Sequence, residues 1–374
     1  MKKHFDYYLF AIVSFLLGFG LLFLSCLSSY ESLQKFGTTN YYLFHQLALA
    51  ILAIVFGVIA YKIPLHFLKK IAPWIVFINL IALFCVFLPG VGTKIFGAHR
   101  WITIAGHSFQ PSEFLKITSI LYLSAWISSK LSEANVSGWK LAVKKNYHNI
   151  IYILIPFLLF LGIITVGLFL QKDATTLGVI SITLLVVYFS SKTPSWHTIS
   201  IIVLGALALF ILIQAEPYRA DRLLTFLHPE EDPLGNGYQL KQSLISLGSG
   251  GFVGKGLGLS EQKFGRVPQA IGDAVFSIIG EELGILGCSI IVISFCLLLW
   301  FGIRIAKKSN DKFSKLVAIG VVFWITLQAF INIASAIGIF PFVGIPLPFI
   351  SYGGSHLVTE LVGIGLLLNI SKNT

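Results

Sequence analysis

Asp273 stands in Val267-Pro-Gln-Ala-Ile-Gly-Asp-Ala-Val-Phe276, where a long polar stretch gives way to an apolar run. Two readings fit that place. Asp suits the N-cap of the helix that the apolar run must form. A carboxylate at the mouth of a membrane-embedded cavity can also take a proton as a general base. Glu281 and Glu282 follow about two turns deeper, and Glu360 lies in the last apolar run. An ionisable group at membrane depth is costly, so each marks either a functional site or a pair with a base elsewhere.

Three further stretches could do chemistry. The glycine run Gly248-Ser-Gly-Gly-Phe-Val-Gly-Lys-Gly-Leu-Gly258 is not a Walker A loop, because Ser249 and Gly256 stand where that pattern needs Gly and Ser or Thr. It reads either as close backbone packing against membrane helices or as amides lining a path for an anionic head group. Gly97-Ala-His-Arg-Trp-Ile102 precedes Gln110-Pro-Ser-Glu-Phe-Leu-Lys116. Arg100 and Trp101 serve either as an interfacial anchor or, for Arg100, as a phosphate ligand. Pro111 suits a first helical turn, and Glu113 and Lys116 are spaced to pair on that helix. Pro346-Leu-Pro-Phe-Ile-Ser-Tyr-Gly-Gly-Ser355 is uncharged and helix-breaking. Irregular backbone at membrane depth is tolerated where it is buried in protein or lines a cavity, which favours a site over a plain connector.

The elements that must position these groups follow from composition. The chain has 374 residues, 56% hydrophobic and 11% charged. Its mean hydropathy is +0.85. Soluble domains carry about 25% charged residues, so a soluble globule is excluded and a multi-span membrane protein is expected. No alternating barrel pattern occurs, so the spans are helices. Cys26, Cys85, Cys288 and Cys296 sit in apolar runs as small buried residues, and the histidines show no metal spacing.

Apolar stretches at 7–28, 44–63, 73–90, 113–130, 150–171, 175–191, 197–214, 273–303, 315–339 and 355–371 predict about ten spanning helices in an all-α, polytopic fold. The run at 7–28 reads as a retained first span, since no small-residue cleavage site follows it. Residues 1–374 read as one integral membrane domain with a large hydrophilic loop at 215–272, before the eighth span. Lys and Arg gather at 2–3, 62–70, 130–145 and 304–315, which places both termini in the cytoplasm and the large loop outside. The net charge of +11 is thus a topology marker and not a nucleic-acid footprint. Inside the loop Arg219, Arg222, Lys241, Lys255, Lys263 and Arg266 balance Glu216, Asp221, Glu230, Glu231, Asp232 and Glu261, so its charges must be placed individually.

Taken in order, Gly97-Ala-His-Arg-Trp-Ile102, Gln110-Pro-Ser-Glu-Phe-Leu-Lys116, Tyr238-Gln-Leu-Lys-Gln-Ser243, the 248–258 run, Gly280-Glu-Glu-Leu-Gly284 and Pro348-Phe-Ile-Ser-Tyr-Gly-Gly-Ser355 resemble the SEDS family of shape, elongation, division and sporulation proteins (FtsW, RodA and SpoVE) over nearly the whole chain. Ala215-Glu-Pro-Tyr-Arg219, Gly237-Tyr-Gln-Leu240 and Gly258-Leu-Ser-Glu-Gln-Lys263 are most similar to FtsW, whereas Asp232-Pro-Leu-Gly235 and Gly248-Ser-Gly-Gly251 lean towards RodA. Three motifs depart from the family pattern. Pro-Glu-x-x-Thr-Asp-Phe reads Pro268-Gln269-Ala-Ile-Gly272-Asp273-Ala274. Gln-Pro-Asp-x-Gly-Thr reads Gln171-Lys172-Asp173-Ala-Thr175-Thr176. Ser355 is followed by His356 in place of a second Ser.

The resemblance implies a peptidoglycan glycosyltransferase that polymerises lipid II, an undecaprenyl-pyrophosphate disaccharide-pentapeptide, at the outer face of the bacterial cytoplasmic membrane. It implies a class B penicillin-binding protein transpeptidase, divisome proteins and membrane lipids as partners, with the division septum as a location. No cofactor is expected from the residues, and a divalent cation such as Mg enters only through the resemblance. Asp273 is the expected catalytic base. The substrate-contacting candidates are Arg100, Trp101, Lys116, Arg219, Arg222, Gln239, Lys263, Arg266, Glu281, Ser351, Tyr352 and Gly353. Two other readings stand beside the enzyme: a lipid II flippase, and a divisome scaffold with weak catalysis.

Overall fold

The computed structural model describes residues 4–95, 98–104, 107–130, 149–191, 193, 196–197, 199–203, 205, 225–226 and 235–373. The long helices are α1 (Tyr7–Leu27), α3 (Tyr41–Lys62), α4 (Leu65–Cys85), α5 (Pro111–Lys130), α6 (Ile155–Leu170, entered through a π-helical turn at Ile150–Leu154), α7 (Ala174–Ser190), α9 (Val275–Lys308), α10 (Lys312–Ala336) and α11 (Gly354–Lys372). Shorter helices are α2 (Ser29–Phe36) and α8 (Asn236–Ser249). Nine of the expected spans coincide with these long helices, and the tenth, 197–214, lies largely outside the described residues. Among the described residues seven helical segments are long and apolar enough to cross a membrane. The two long helices not among them are α5, which carries Glu113 and Lys116, and the 17-residue α7.

Local chemistry sets the helix ends. Asp6, Asp173 and Asp311 each accept a backbone N–H and cap α1, α7 and α10. Gly37, at φ 71°, closes α2 in the left-handed conformation that glycine adopts without strain. Helices α10 and α11 form the centre of the bundle: 72% of the apolar window of each is buried, against 28–39% in the other apolar spans. Lipid-facing residues such as Trp74, Ile78 and Trp300 are correspondingly exposed in the isolated chain.

Two features add to the expected all-helical plan. Three strands form an antiparallel sheet, β1 (Gly92–Ile95), β2 (Ala98–Ile104) and β3 (His107–Phe109), with Thr93 opposite Trp101 and Ile102 opposite Phe109. This stretch is too short to span, and its β-branched Thr93, Ile95, Ile102, Thr103 and Ile104 suit strands. The second half of the expected long loop is also structured. Helix α8 packs along α9, and residues 250–274 fold in successive turns over the start of α9.

Candidate active site

Asp273 precedes Ala274, the N-cap of α9, and no side-chain hydrogen bond caps that helix. The helix-cap reading of Asp273 therefore does not hold. The residue is 7% exposed, and a Cβ built on Gly344 would come within 3.1 Å of its Oδ2, so the carboxylate faces the irregular segment 341–353. The preceding turn is tight. Gln269 takes a left-handed backbone at φ 51° and accepts from the Gly272 N–H at 2.9 Å. The altered neighbours of Asp273 thus build this turn, with Ala274 fully buried behind it.

Several bonds clamp the main chain at Asp273. Asn332 of α10 donates through Nδ2 to the carbonyls of Asp273 and Ile345, both at 2.8 Å. Ser351 donates to Gly272 O at 2.6 Å and accepts from Leu347 N at 2.8 Å, and Tyr352 N donates to Ile271 O at 2.9 Å. One turn from Asn332, Gln328 donates to Pro346 O at 3.1 Å. Its Oε1 accepts from Lys116 Nζ at 2.8 Å and from Trp324 Nε1 at 3.2 Å. Lys116, 2% exposed, also donates to both carboxylate oxygens of Glu113 at 2.8 and 2.9 Å. The pairing expected from their spacing is present, and Lys116 is committed inside the bundle.

The other end of the 341–353 segment is held as firmly. Glu360 accepts from Phe349 N at 2.9 Å, where Phe349 has a left-handed backbone at φ 64°. Tyr352 hydrogen-bonds His45 Nδ1 through its hydroxyl at 2.8 Å, and burial pushes that phenol up to about 12, so it stays protonated. Gly353 N donates to Gln46 Oε1 at 3.1 Å. Two residues at the departure from the family pattern take part: Ser355 accepts from Gln110 N at 3.2 Å, and His356 Nε2 donates to Ser351 O at 3.2 Å.

Glu281 and Glu282 are fully engaged elsewhere. Glu281 accepts from Lys255 Nζ at 2.9 Å, Ser260 Oγ at 2.5 Å, Ser246 Oγ at 3.3 Å and Glu261 N at 3.2 Å. Glu282 accepts from Gly258 N at 2.9 Å, Ser260 N at 3.2 Å and Lys263 Nζ at 3.4 Å. Pairing with a base is thus what the structure shows for both acids. Lys255 is raised by its hydrogen bond to Glu281, against the opposing pull of burial.

The glycine run is the wrapping of this cluster. Helix α9 breaks at Gly284 (φ 65°, ψ −162°), and the amides of Lys255 and Gly256 donate to the Glu281 and Glu282 carbonyls. A Cβ on Gly250 would lie 1.9 Å from Gly280 O, and one on Gly254 would lie 2.2 Å from Glu282 O. Close backbone packing is the reading that holds, and the amides at 255, 256 and 258 are spent on α9.

The remaining candidates divide. Arg100, on β2, donates to the carbonyls of Gln171 (3.1 Å) and Lys172, tying the sheet to the turn between α6 and α7. Lys172 stands at φ 57°, where proline cannot go, so this turn has its own backbone in place of the family's Gln-Pro-Asp. Trp101 is half-buried beside Arg100, and Gln239 of α8 donates to Pro268 O at 3.5 Å. Arg266 is exposed, 3.8 Å from the equally exposed Glu261. Arg219 and Arg222 lie outside the described residues. Asn332 and Gln328 were not anticipated. Their signal was present as two amides four residues apart in an apolar span, one stripe of the helix facing inward.

Among the described residues no three His, Cys, Asp or Glu side chains converge as a bound metal would require. No step is assigned to a divalent cation.

Residues 7–374 match the sequence profile of the FtsW, RodA and SpoVE family, described as cell cycle proteins. A probable peptidoglycan glycosyltransferase FtsW of Borreliella burgdorferi is 37% identical over 363 residues, covering 97% of this chain and 95% of that protein. The stage V sporulation protein E of Bacillus subtilis is 34% identical over 378 residues, covering 98% and 97%. A chain from a solved peptidoglycan synthase complex that coordinates polymerization and crosslinking has the same fold, with a TM-score of 0.76 at 24% identity, covering 99% of this chain and 98% of that one. With both the six ordered motifs and the full-length match in place, the chain belongs to the FtsW, RodA and SpoVE family.

Proposed function

We propose that this multi-pass membrane protein is a peptidoglycan glycosyltransferase that polymerises lipid II at the outer face of the cytoplasmic membrane. Relatives named as FtsW glycosyltransferases, alike over nearly the whole chain, support the reaction class. The observation that carries the assignment of the base is the geometry at Asp273. Its carboxylate faces the buried irregular segment, while Asn332 and Ser351 hold its backbone and that of Gly272.

In the proposed reaction Asp273 accepts the proton of the acceptor sugar hydroxyl. The oxygen attacks the anomeric carbon of the donor, the bond from that carbon to the diphosphate breaks, and the polyprenyl diphosphate leaves. Cations must balance the charge that develops on it. Lys116 and Lys263 are neutralised by Glu113 and Glu282, and Arg100 is bound to carbonyls. The exposed Arg266 thus becomes the first candidate among the described residues, together with Arg219 and Arg222 by sequence.

The solved relative in a synthase complex supports a peptidoglycan-crosslinking partner, which we assign to the class B penicillin-binding proteins. Topology from the basic residues puts both termini in the cytoplasm and Asp273 outside. The deep acids Glu281, Glu282 and Glu360 each hold structural bonds, which favours chemistry at one face over a transport path.

The test is to purify the protein with its transpeptidase partner, supply labelled lipid II and resolve the glycan strands. Wild type polymerises and Asp273→Ala does not. Translocation of lipid II in liposomes without polymer would assign a flippase. Intact partner pull-down without polymer under every condition would assign a scaffold.

A further inference from the structure

At the end of the bundle opposite Asp273, helices α1, α3 and α11 enclose an apolar groove of about 310 Å³. Its walls are helical stripes, with Val13 and Leu17 from α1, Val58 and Tyr61 from α3, and Leu361 and Leu368 from α11. Gly57 and Gly365 keep it open. Their backbones touch so closely that a Cβ on Gly365 would lie 2.1 Å from Gly57 O.

Phe10, Ile54 and Val58 along the groove are 44–50% exposed, so it is open on the side that faces acyl chains. From Leu361 to Leu368 it follows the helix for about 10.5 Å, and its lining is apolar throughout that length, as an alkyl chain requires.

One end of the groove is basic. The ammonium of Lys372 lies 5.3 Å from the centre of the Tyr61 ring, and Lys372 follows Leu368 by one turn on the same stripe. Lys62, beside Tyr61, is exposed. Asp6, the acid at this end of α1, caps its own helix by accepting Leu9 N at 3.0 Å. Phe5 stands edge-on to Tyr61, with ring centres 6.1 Å apart, as aromatic residues do at the head-group level.

We infer that this groove binds one anionic phospholipid, with an acyl chain along α3 and α11 and the phosphate at Lys372 and Lys62. Basic residues at a helix-bundle surface draw anionic head groups in this way. The same two helices hold the 341–353 segment from the other end through His45, Gln46 and Glu360, so the lipid braces the pair that carries that segment.

The test is native mass spectrometry of the detergent-purified full chain with phosphatidylglycerol or phosphatidylcholine of matched acyl chains. Wild type should retain one phosphatidylglycerol, roughly fivefold more tightly than phosphatidylcholine for each lysine engaged. Lys62→Gln with Lys372→Gln should remove that preference and leave phosphatidylcholine binding unchanged. Val58→Trp fills the groove from a side chain that is already 44% exposed, and should release both lipids with helical content intact. Equal retention of the two lipids by wild type, or undiminished phosphatidylglycerol on Val58→Trp, overturns the inference. Displacement of the lipid by glycerol phosphate at equal concentration also overturns it, since that would mark a bare phosphate site.

Discussion

Two acidic regions lie within ten residues of each other at the start of α9, and the bonds around them differ. Around Asp273 three bonds clamp the main chain: Asn332 to its carbonyl, Ser351 to Gly272 O, and Tyr352 N to Ile271 O. At Glu281 and Glu282 the fastening runs through the carboxylates, each with a lysine and with donors from the 255–261 wrapping. Charge-assisted bonds to a buried acid stabilise a fold and consume the acid. Backbone clamps set where a carboxylate stands without drawing on its charge. The same residue class is thus held through its charge at Glu281 and Glu282, while at Asp273 the main chain is clamped.

The sharpest way to break this contrast is at Asp273 itself. Asp273→Asn keeps size and shape, so polymerisation should fall by about 10²–10⁴, the usual contribution of a general base, while thermal stability stays near wild type. The opposite pattern is expected at Glu282. Removing it strands Lys263, whose side chain is 4% exposed, and breaking a buried pair costs about 3–5 kcal/mol. Glu282→Ala should therefore lower the melting temperature steeply, and adding Lys263→Met should recover part of the loss. A stable Glu282→Ala with no turnover would move the catalytic role to the cluster.

Asn332→Leu tests the clamp. Two buried carbonyls lose their donor, a cost of about 1–3 kcal/mol each before relaxation. The expected signature is a fall in kcat with little change in KM for lipid II, because the carboxylate shifts while substrate contacts remain. An unchanged kcat would show that Asn332 serves stability alone.

The smallest effect is at Lys255, which is partly exposed. Lys255→Ala should cost roughly 1 kcal/mol at neutral pH. Its folded-state pKa is raised above 10.5 by Glu281, so its stabilisation is complete below 10.5 and is lost as pH rises through the folded value. Wild type and variant should converge in melting temperature at strongly alkaline pH. A gap that persists there would mean that packing of the stem, and not the charge, is what Lys255 contributes.

Much of this was legible in the residues. Apolar length and basic flanks fixed the spans because lipid leaves backbone groups no partner but their own helix, and six motifs located the loops that meet at one end. The Glu113–Lys116 pair followed from helical spacing. The structure supplied what spacing cannot. The partners of Glu281 and Glu282 come from residues some twenty positions earlier, brought back by a glycine wrapping whose purpose is visible only once Gly250 and Gly254 are seen against α9. Arg100 has phosphate-binding chemistry, yet its donors go to carbonyls at Gln171 and Lys172, a contact no local pattern announces. Asn332 and Gln328 escaped attention because neither is ionisable, although amides inside an apolar span need partners as charges do.

The most direct measurement is turnover per folded molecule of Asp273→Asn, assembled with the transpeptidase partner and given labelled lipid II. The account predicts strand synthesis reduced at least about a hundredfold with helical content and melting temperature unchanged. Wild-type turnover by that variant would contradict it.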